Sequence, residues 1–253
     1  MATIVRDGVK IYYEDHGSGE AIILTHGFSA TSKMWAGQIA PLTEKYRVIT
    51  WDMRGHGQSD SPQQQSLYSE EHSVDDMAAI LDECGVATAV IAGLSLGGYM
   101  SLAFNLKYSQ RVTGLMLIDT GPGYKNDQAR ASWNEMATKR GEVFEAEGLA
   151  SLGSSDEVRV SSHTSATGLA NAARGMLTQV DDRVIQSLPE ITVPTLVLVG
   201  ANDKQFLGAT DYMAIKIPGA VKEIVPDAGH AVNIMQPELF NSAVLSFLSG
   251  ADL

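Results

Sequence analysis

Gly93-Leu94-Ser95-Leu96-Gly97-Gly98 follows the apolar run Ala89-Val90-Ile91-Ala92 and precedes a stretch of helical character starting near Gly97. A serine with glycines two positions to either side, between a buried strand and a helix, is the pattern of a sharp, strained turn that lifts a hydroxyl above the strand's carboxyl end. Side chains at 93 and 97 would crowd the adjoining strand and helix, which gives both glycines a steric purpose. The alternative is a glycine-rich turn carrying a passenger serine. A phosphate loop is excluded, because no Lys-Ser/Thr pair follows and the serine stands at the apex.

Outward from this turn, short Val/Ile/Leu-rich runs at 21–24, 47–51, 89–93, 113–119 and 195–199, with 222–225 a further candidate, alternate with segments of helical period. That rhythm predicts a mostly parallel sheet buried on both faces by crossover helices, an α/β fold. Residues 3–5 and 10–13 flank Asp7-Gly8 and read as an antiparallel hairpin. Ser73 with Asp76 resembles a capping box, with Val74, Met77, Ala78 and Leu81 on one face and Gly85 ending the helix. Met34, Trp35, Ile39 and Leu42 suggest another helix whose end Pro41 obscures. Pro237 opens a terminal helix striped by Leu239, Phe240, Ala243, Val244 and Phe247. Between Gly121 and Pro189 no strand run appears, and helical segments are broken by Gly and Ser. The expected organisation is therefore a core of residues 1–120 and 190–253 with a helical cap inserted at 121–189, which either only packs or acts as a lid.

The 253 residues suffice for one such core, and 44% hydrophobic with 19% charged residues excludes a disordered or collagen-like chain. The lone Cys84 supports neither a disulfide nor a zinc or iron–sulfur site. Eighteen basic against thirty acidic residues, net −12, repel phosphate backbones and anionic lipid, so neither nucleic acid nor a membrane is an expected partner. The start alternates apolar and polar residues, unlike a secretory signal, and no apolar run nears the roughly 20 residues of a membrane span. A cytoplasmic protein acting on a small molecule, with no cofactor and no metal, is the expectation.

A serine hydroxyl needs a base to take its proton. Of six histidines, His230 lies between the last strand candidate and the terminal helix, where a loop can carry it to the sheet's active edge. His16 reads as part of an exposed turn, His72 as a neighbour of a helix cap and His163 as part of the insertion. His26 and His56 fall in turn motifs that backbone geometry explains better than proton transfer. The base in turn needs an acid, and Asp203 directly follows strand 195–199, giving the chain order Ser95, Asp203, His230. Asp119 also ends a strand and remains a rival. Backbone donors for an oxyanion are the amides of Leu96, next to the serine, and Phe28, where Gly27 lets the chain pass close.

Taken together, His26-Gly27-Phe28, Asp52-Met53-Arg54-Gly55-His56-Gly57-Gln58-Ser59-Asp60, Gly93 to Gly98, Gly200 to Lys204 and Gly229-His230 resemble the successive landmarks of the α/β-hydrolase superfamily. The similarity is greatest to small capped carboxylesterases, 3-oxoadipate enol-lactonases and acyl-homoserine lactonases. It implies an ester or lactone hydrolase that works through an acyl-enzyme. Dehalogenases and epoxide hydrolases of this fold carry an aspartate in place of Ser95. The menaquinone-pathway synthase often carries arginine where Tyr99 stands, and carbon–carbon bond hydrolases often carry Asn where Leu94 stands. A cofactor-free perhydrolase, a lyase on the same residues and a ligand receptor built on the scaffold are the alternatives. Within the resemblance, Asp52 and Arg54 belong to a structural turn.

Overall fold

The computed structural model describes residues 2–253. Eight strands, β1 (Ala2–Arg6), β2 (Val9–Gly17), β3 (Ala21–Thr25), β4 (Arg47–Trp51), β5 (Ala89–Leu94), β6 (Val112–Ile118), β7 (Thr195–Gly200) and β8 (Val221–Val225), form one sheet in the order β1-β2-β4-β3-β5-β6-β7-β8. The β1–β2 and β2–β4 pairs are antiparallel, and every pair from β4–β3 to β7–β8 is parallel. The fully buried strands owe this to their near-continuous apolar runs. Alternate residues serve opposite faces.

On one face Ile23, Ile91 and Val197 pack with Met77 and Leu81 of α2 (Glu70–Glu83), Met100 and Phe104 of α3 (Leu96–Tyr108) and Met213 of α8 (Leu207–Lys216). On the other, Ile22, Val90 and Leu196 pack with Leu42 of α1 (Ala36–Thr43) and Phe240, Val244 and Phe247 of α10 (Pro237–Gly250). Between β6 and β7 lie α4 (Asp127–Glu147), α5 (Asp156–Arg159), α6 (Ala166–Gly175) and α7 (Arg183–Gln186), and α9 (Val232–Met235) precedes α10. Among the described residues no helix is long and apolar enough to cross a membrane.

Two local expectations need correction, and the end of one helix is settled. The cap of α2 is Ser69, whose side chain accepts from the His72 amide, whereas Ser73 sits inside the helix and donates its hydroxyl to the Ser69 carbonyl. Glu70 and Glu71 extend the first turn, where acidic groups suit the helix dipole. Strand β2 runs on to Gly17, so His16 lies in a strand opposite Val48 and bonds Glu14 at 2.9 Å. Finally, Pro41 lies inside α1. It has no N–H for the Gly37 carbonyl, and Asn241 of α10 donates to that oxygen instead at 3.0 Å.

The 52–60 turn is a hydrogen-bonded unit. Asp52 accepts from the amides of Ser32 (2.7 Å) and Gln58 (2.8 Å). Arg54, fully buried, donates to both oxygens of the equally buried Asp76 at 2.6 and 2.8 Å.

Candidate active site

Ser95 occupies the turn between β5 and α3 with φ 57° and ψ −117°, a conformation a residue with a Cβ rarely adopts. Its neighbours hold it there. The Ser95 amide donates to the Ile118 carbonyl at 2.9 Å, and Thr120 Oγ1 donates to the Ser95 carbonyl at 2.6 Å. The turn closes only because the flanking glycines lack side chains. A Cβ on Gly93 would stand 2.2 Å from the Gly97 carbonyl carbon, and one on Gly97 would stand 2.2 Å from the Thr25 oxygen.

The loops after β7 and β8 are zipped together by Ala201 N–H to the Val225 carbonyl and Asn202 N–H to the Ala228 carbonyl, both 2.8 Å. This brings Asp203 and His230 together: Nδ1 of His230 donates to Oδ2 of Asp203 at 2.7 Å. Burial pulls the imidazole pKa down, but the hydrogen bond and charge of Asp203 outweigh it, and the net shift is upward from 6.5. Phe206 stacks on the ring, with centroids 5.1 Å apart and planes 20° apart. Phe206 also lines, with Ser95, a cavity of about 110 Å³. No hydrogen bond among the described residues joins Ser95 to His230, and both Ser95 Oγ and His230 Nε2 are without a partner there.

Asp119, the rival acid, does not touch the imidazole. It is fully buried with φ 44°, and its oxygens accept from Gly200 N–H at 2.8 Å and, more weakly, from Val232 N–H at 3.4 Å. It thus ties the acid-bearing loop to the base-bearing one, and burial raises its pKa.

The amides of Phe28 and Leu96 donate to no other described group. Gly27 carries the chain past the serine so closely that a Cβ there would lie 3.3 Å from Ser95 Cβ. The loop is braced by neutral histidines. His26 accepts from Met53 N–H at 2.9 Å through Nε2 and donates from Nδ1 to the Gly27 carbonyl at 2.7 Å. His56 accepts from Ser29 N–H at 3.2 Å and donates to the Arg54 carbonyl at 3.0 Å. Burial drives both pKa values far below the ordinary one, that of His26 to about 4.

His163 was missed by the sequence. Its Nε2 donates to the Ser29 carbonyl at 2.9 Å, its Nδ1 accepts from Gly57 N–H at 3.3 Å, and its ring stands edge-on to His56 at 5.7 Å. Ser161 and Ser162 beside it meet Thr31 and Lys33 at 3.3 and 3.2 Å. The inserted segment is therefore pinned to the 29–33 loop.

The cavity is walled by Leu96, Tyr99, Tyr124, Trp133, Leu177 and Phe206. Gln179 Oε1 accepts from the Tyr124 amide at 3.1 Å, and Trp133 donates to the Leu177 carbonyl at 2.7 Å, so the inserted helices set this wall. Neither contact has a signal in the sequence, because each joins residues 44 to 55 positions apart. Among the described residues no group of three or more His, Cys, Asp or Glu side chains could hold a metal ion.

A serine at positive φ in the strand-to-helix turn, an Asp–His hydrogen bond on the loops after β7 and β8 and two amides without an internal partner sit on one doubly wound sheet. The model of the alpha/beta hydrolase fold family matches residues 20–169, and the chain belongs to that family. A putative 2-succinyl-6-hydroxy-2,4-cyclohexadiene-1-carboxylate synthase of Bacillus subtilis is 30% identical over 97% of both chains. Among solved structures, a thermophilic esterase from Thermogutta terrifontis is 30% identical with TM-score 0.85, covering 98% of this chain and 97% of its own. The enol-lactonase of Burkholderia xenovorans LB400 is 25% identical with TM-score 0.79, covering 98% and 100%. Hydrolase is the enzyme class these relatives support.

Proposed function

We propose that the protein is a cofactor-independent serine hydrolase of carboxylic esters or lactones. Ser95 attacks the acyl carbon, and His230 accepts its proton, passes it to the leaving alkoxide and then activates water on the acyl-enzyme. Asp203 holds the imidazole in the tautomer whose Nε2 is free and stabilises its cation, while the amides of Phe28 and Leu96 receive the oxyanion. Residues 121–189 serve as the cap that shapes the acyl cavity. The observation that carries this reading is the 2.7 Å His230–Asp203 hydrogen bond, made by an imidazole whose other nitrogen is free and whose stacking partner Phe206 lines the same cavity as Ser95, held at φ 57°.

The Bacillus relative is named for making a carboxylate, and no cationic side chain lines the cavity beside Ser95. We therefore assign ester or lactone hydrolysis to this chain in preference to that reaction.

Ser95→Ala is expected to fold and to lose turnover by on the order of 10⁶, with His230→Ala comparable. A fluorophosphonate should label the peptide containing Ser95, and a mass-quench experiment with an activated ester should trap an acyl group there. A folded Ser95→Ala protein that hydrolyses p-nitrophenyl acetate at the parent rate refutes the assignment, and labelling without multiple turnover indicates a receptor.

A further inference from the structure

We propose that the acyl site favours a short, uncharged acyl group and discriminates against acyl chains that end in a carboxylate. This deepens the ester-hydrolase reading and rests on it.

The cavity lies on the acyl side of the reacting carbon. The leaving oxygen must face His230 to be protonated, and His230 is not part of the cavity wall, whereas Ser95 and Leu96, the residue next to it, are. The cavity holds about 110 Å³ and two of its wall residues, Gln205 and Tyr124, are exposed to solvent, so its floor seats a short chain and a longer one must run out past the wall. Its wall is mainly aromatic and aliphatic, and its polar side chains besides Ser95 are neutral: Tyr99, Tyr124, Thr120, Gln179 and Gln205.

The charges just outside do not favour an anion. Tyr99 donates its hydroxyl to Glu70 at 2.8 Å, so a carboxylate stands directly behind the wall. Neighbouring guanidiniums are occupied, with Arg130 on the Tyr124 carbonyl (3.0 Å) and Asp127, and Arg183 on Asp181 (2.6 Å). Gln179 has already committed its carbonyl to the Tyr124 amide. A carboxylate seated against this wall would give up water and gain neither a cation nor a free set of donors, which disfavours it against a neutral group of the same size.

The test separates charge from size by comparing two near-isosteric methyl esters, the neutral methyl succinamate and the anionic monomethyl succinate. The amide ester is expected to have kcat/KM at least about 100-fold higher, equivalent to about 2.7 kcal/mol at 1.36 kcal/mol per tenfold. In the alkyl series, methyl butanoate should exceed methyl octanoate by at least about tenfold. Gln205→Arg, at an exposed wall position with no side-chain hydrogen bond, should narrow the amide-to-acid ratio at least about tenfold. Equal rates on the two succinyl esters, or on butanoate and octanoate, overturn the proposal. If no ester turns over, the hydrolase reading fails, and binding to Ser95→Ala followed by Trp133 fluorescence still judges the cavity: methyl succinamate must bind at least about tenfold tighter than monomethyl succinate.

Discussion

Acidification from pH 7 to pH 5 should remove stability from this fold at His26 and His56. Both are fully buried and neutral, each accepting a backbone N–H through one nitrogen, and protonation removes that acceptor. Their folded pKa values are depressed, so their contribution to stability is full above the unfolded value near 6.5 and is lost as pH falls towards the folded one. At pH 5 the unfolded chain binds nearly one proton per imidazole, and keeping each neutral in the fold costs about 1.9 kcal/mol more than at pH 7. The two together give about 4 kcal/mol, a large share of the 5–15 kcal/mol typical of a domain. His230 and Asp119 have the opposite sign, because their raised pKa values make the folded state the better proton binder over this range, and they offset much of the loss. Urea unfolding at the two pH values measures the difference, and NMR titration of the imidazole carbon-bound protons assigns it. A His26 or His56 resonance titrating near 6.5 in the folded protein would refute the reasoning.

Further expectations concern the machinery. Because Asp203 raises the His230 pKa and the base works only when neutral, activity should fall on acidification through a pKa above 6.5; Asp203→Asn should lower both that pKa and turnover, and an unmoved pH–rate profile would separate Asp203 from the base. Gly97→Ala drives a Cβ into backbone oxygens of Thr25 and His26 at 2.2 and 2.8 Å and should cost about 3 kcal/mol or more, whereas Gly208→Ala, in α8 with open space around it, should stabilise by about 0.5–1 kcal/mol; thermal melts compare them. His163→Ala should lower kcat more than it raises KM, because it frees the Ser29 carbonyl beside the Phe28 amide, and His163→Gln, able to donate and accept, should recover part of it; steady-state kinetics on one neutral ester decides.

Much of this architecture can be read from the chain because its parallel strands are buried on both sides and announce themselves as apolar runs. The serine turn is legible for a related reason: its glycines are demanded by backbone contacts that no side chain could survive. Chain order pointed to Asp203 and His230, and the two are hydrogen-bonded. Boundaries were harder. Helix α2 starts one turn earlier than the Ser73–Asp76 pattern suggests, with Ser69 capping it through the His72 amide. His16 looked like a turn residue because β2 keeps its pairing with β4 beyond the apolar stretch. His163 had no signal at all, because its partners at 29 and 57 lie more than a hundred positions away.

The conformation of Ser95 has a price in robustness. An αL-like or more extreme φ on a residue with a Cβ costs on the order of 1–3 kcal/mol, and glycine is free of that penalty though it loses more freedom on folding. Ser95→Gly should therefore give an inert protein that melts at the parent temperature or above it, by about 1 kcal/mol at most. Selection on thermal endurance alone, with function unguarded, would be expected to erode this position early.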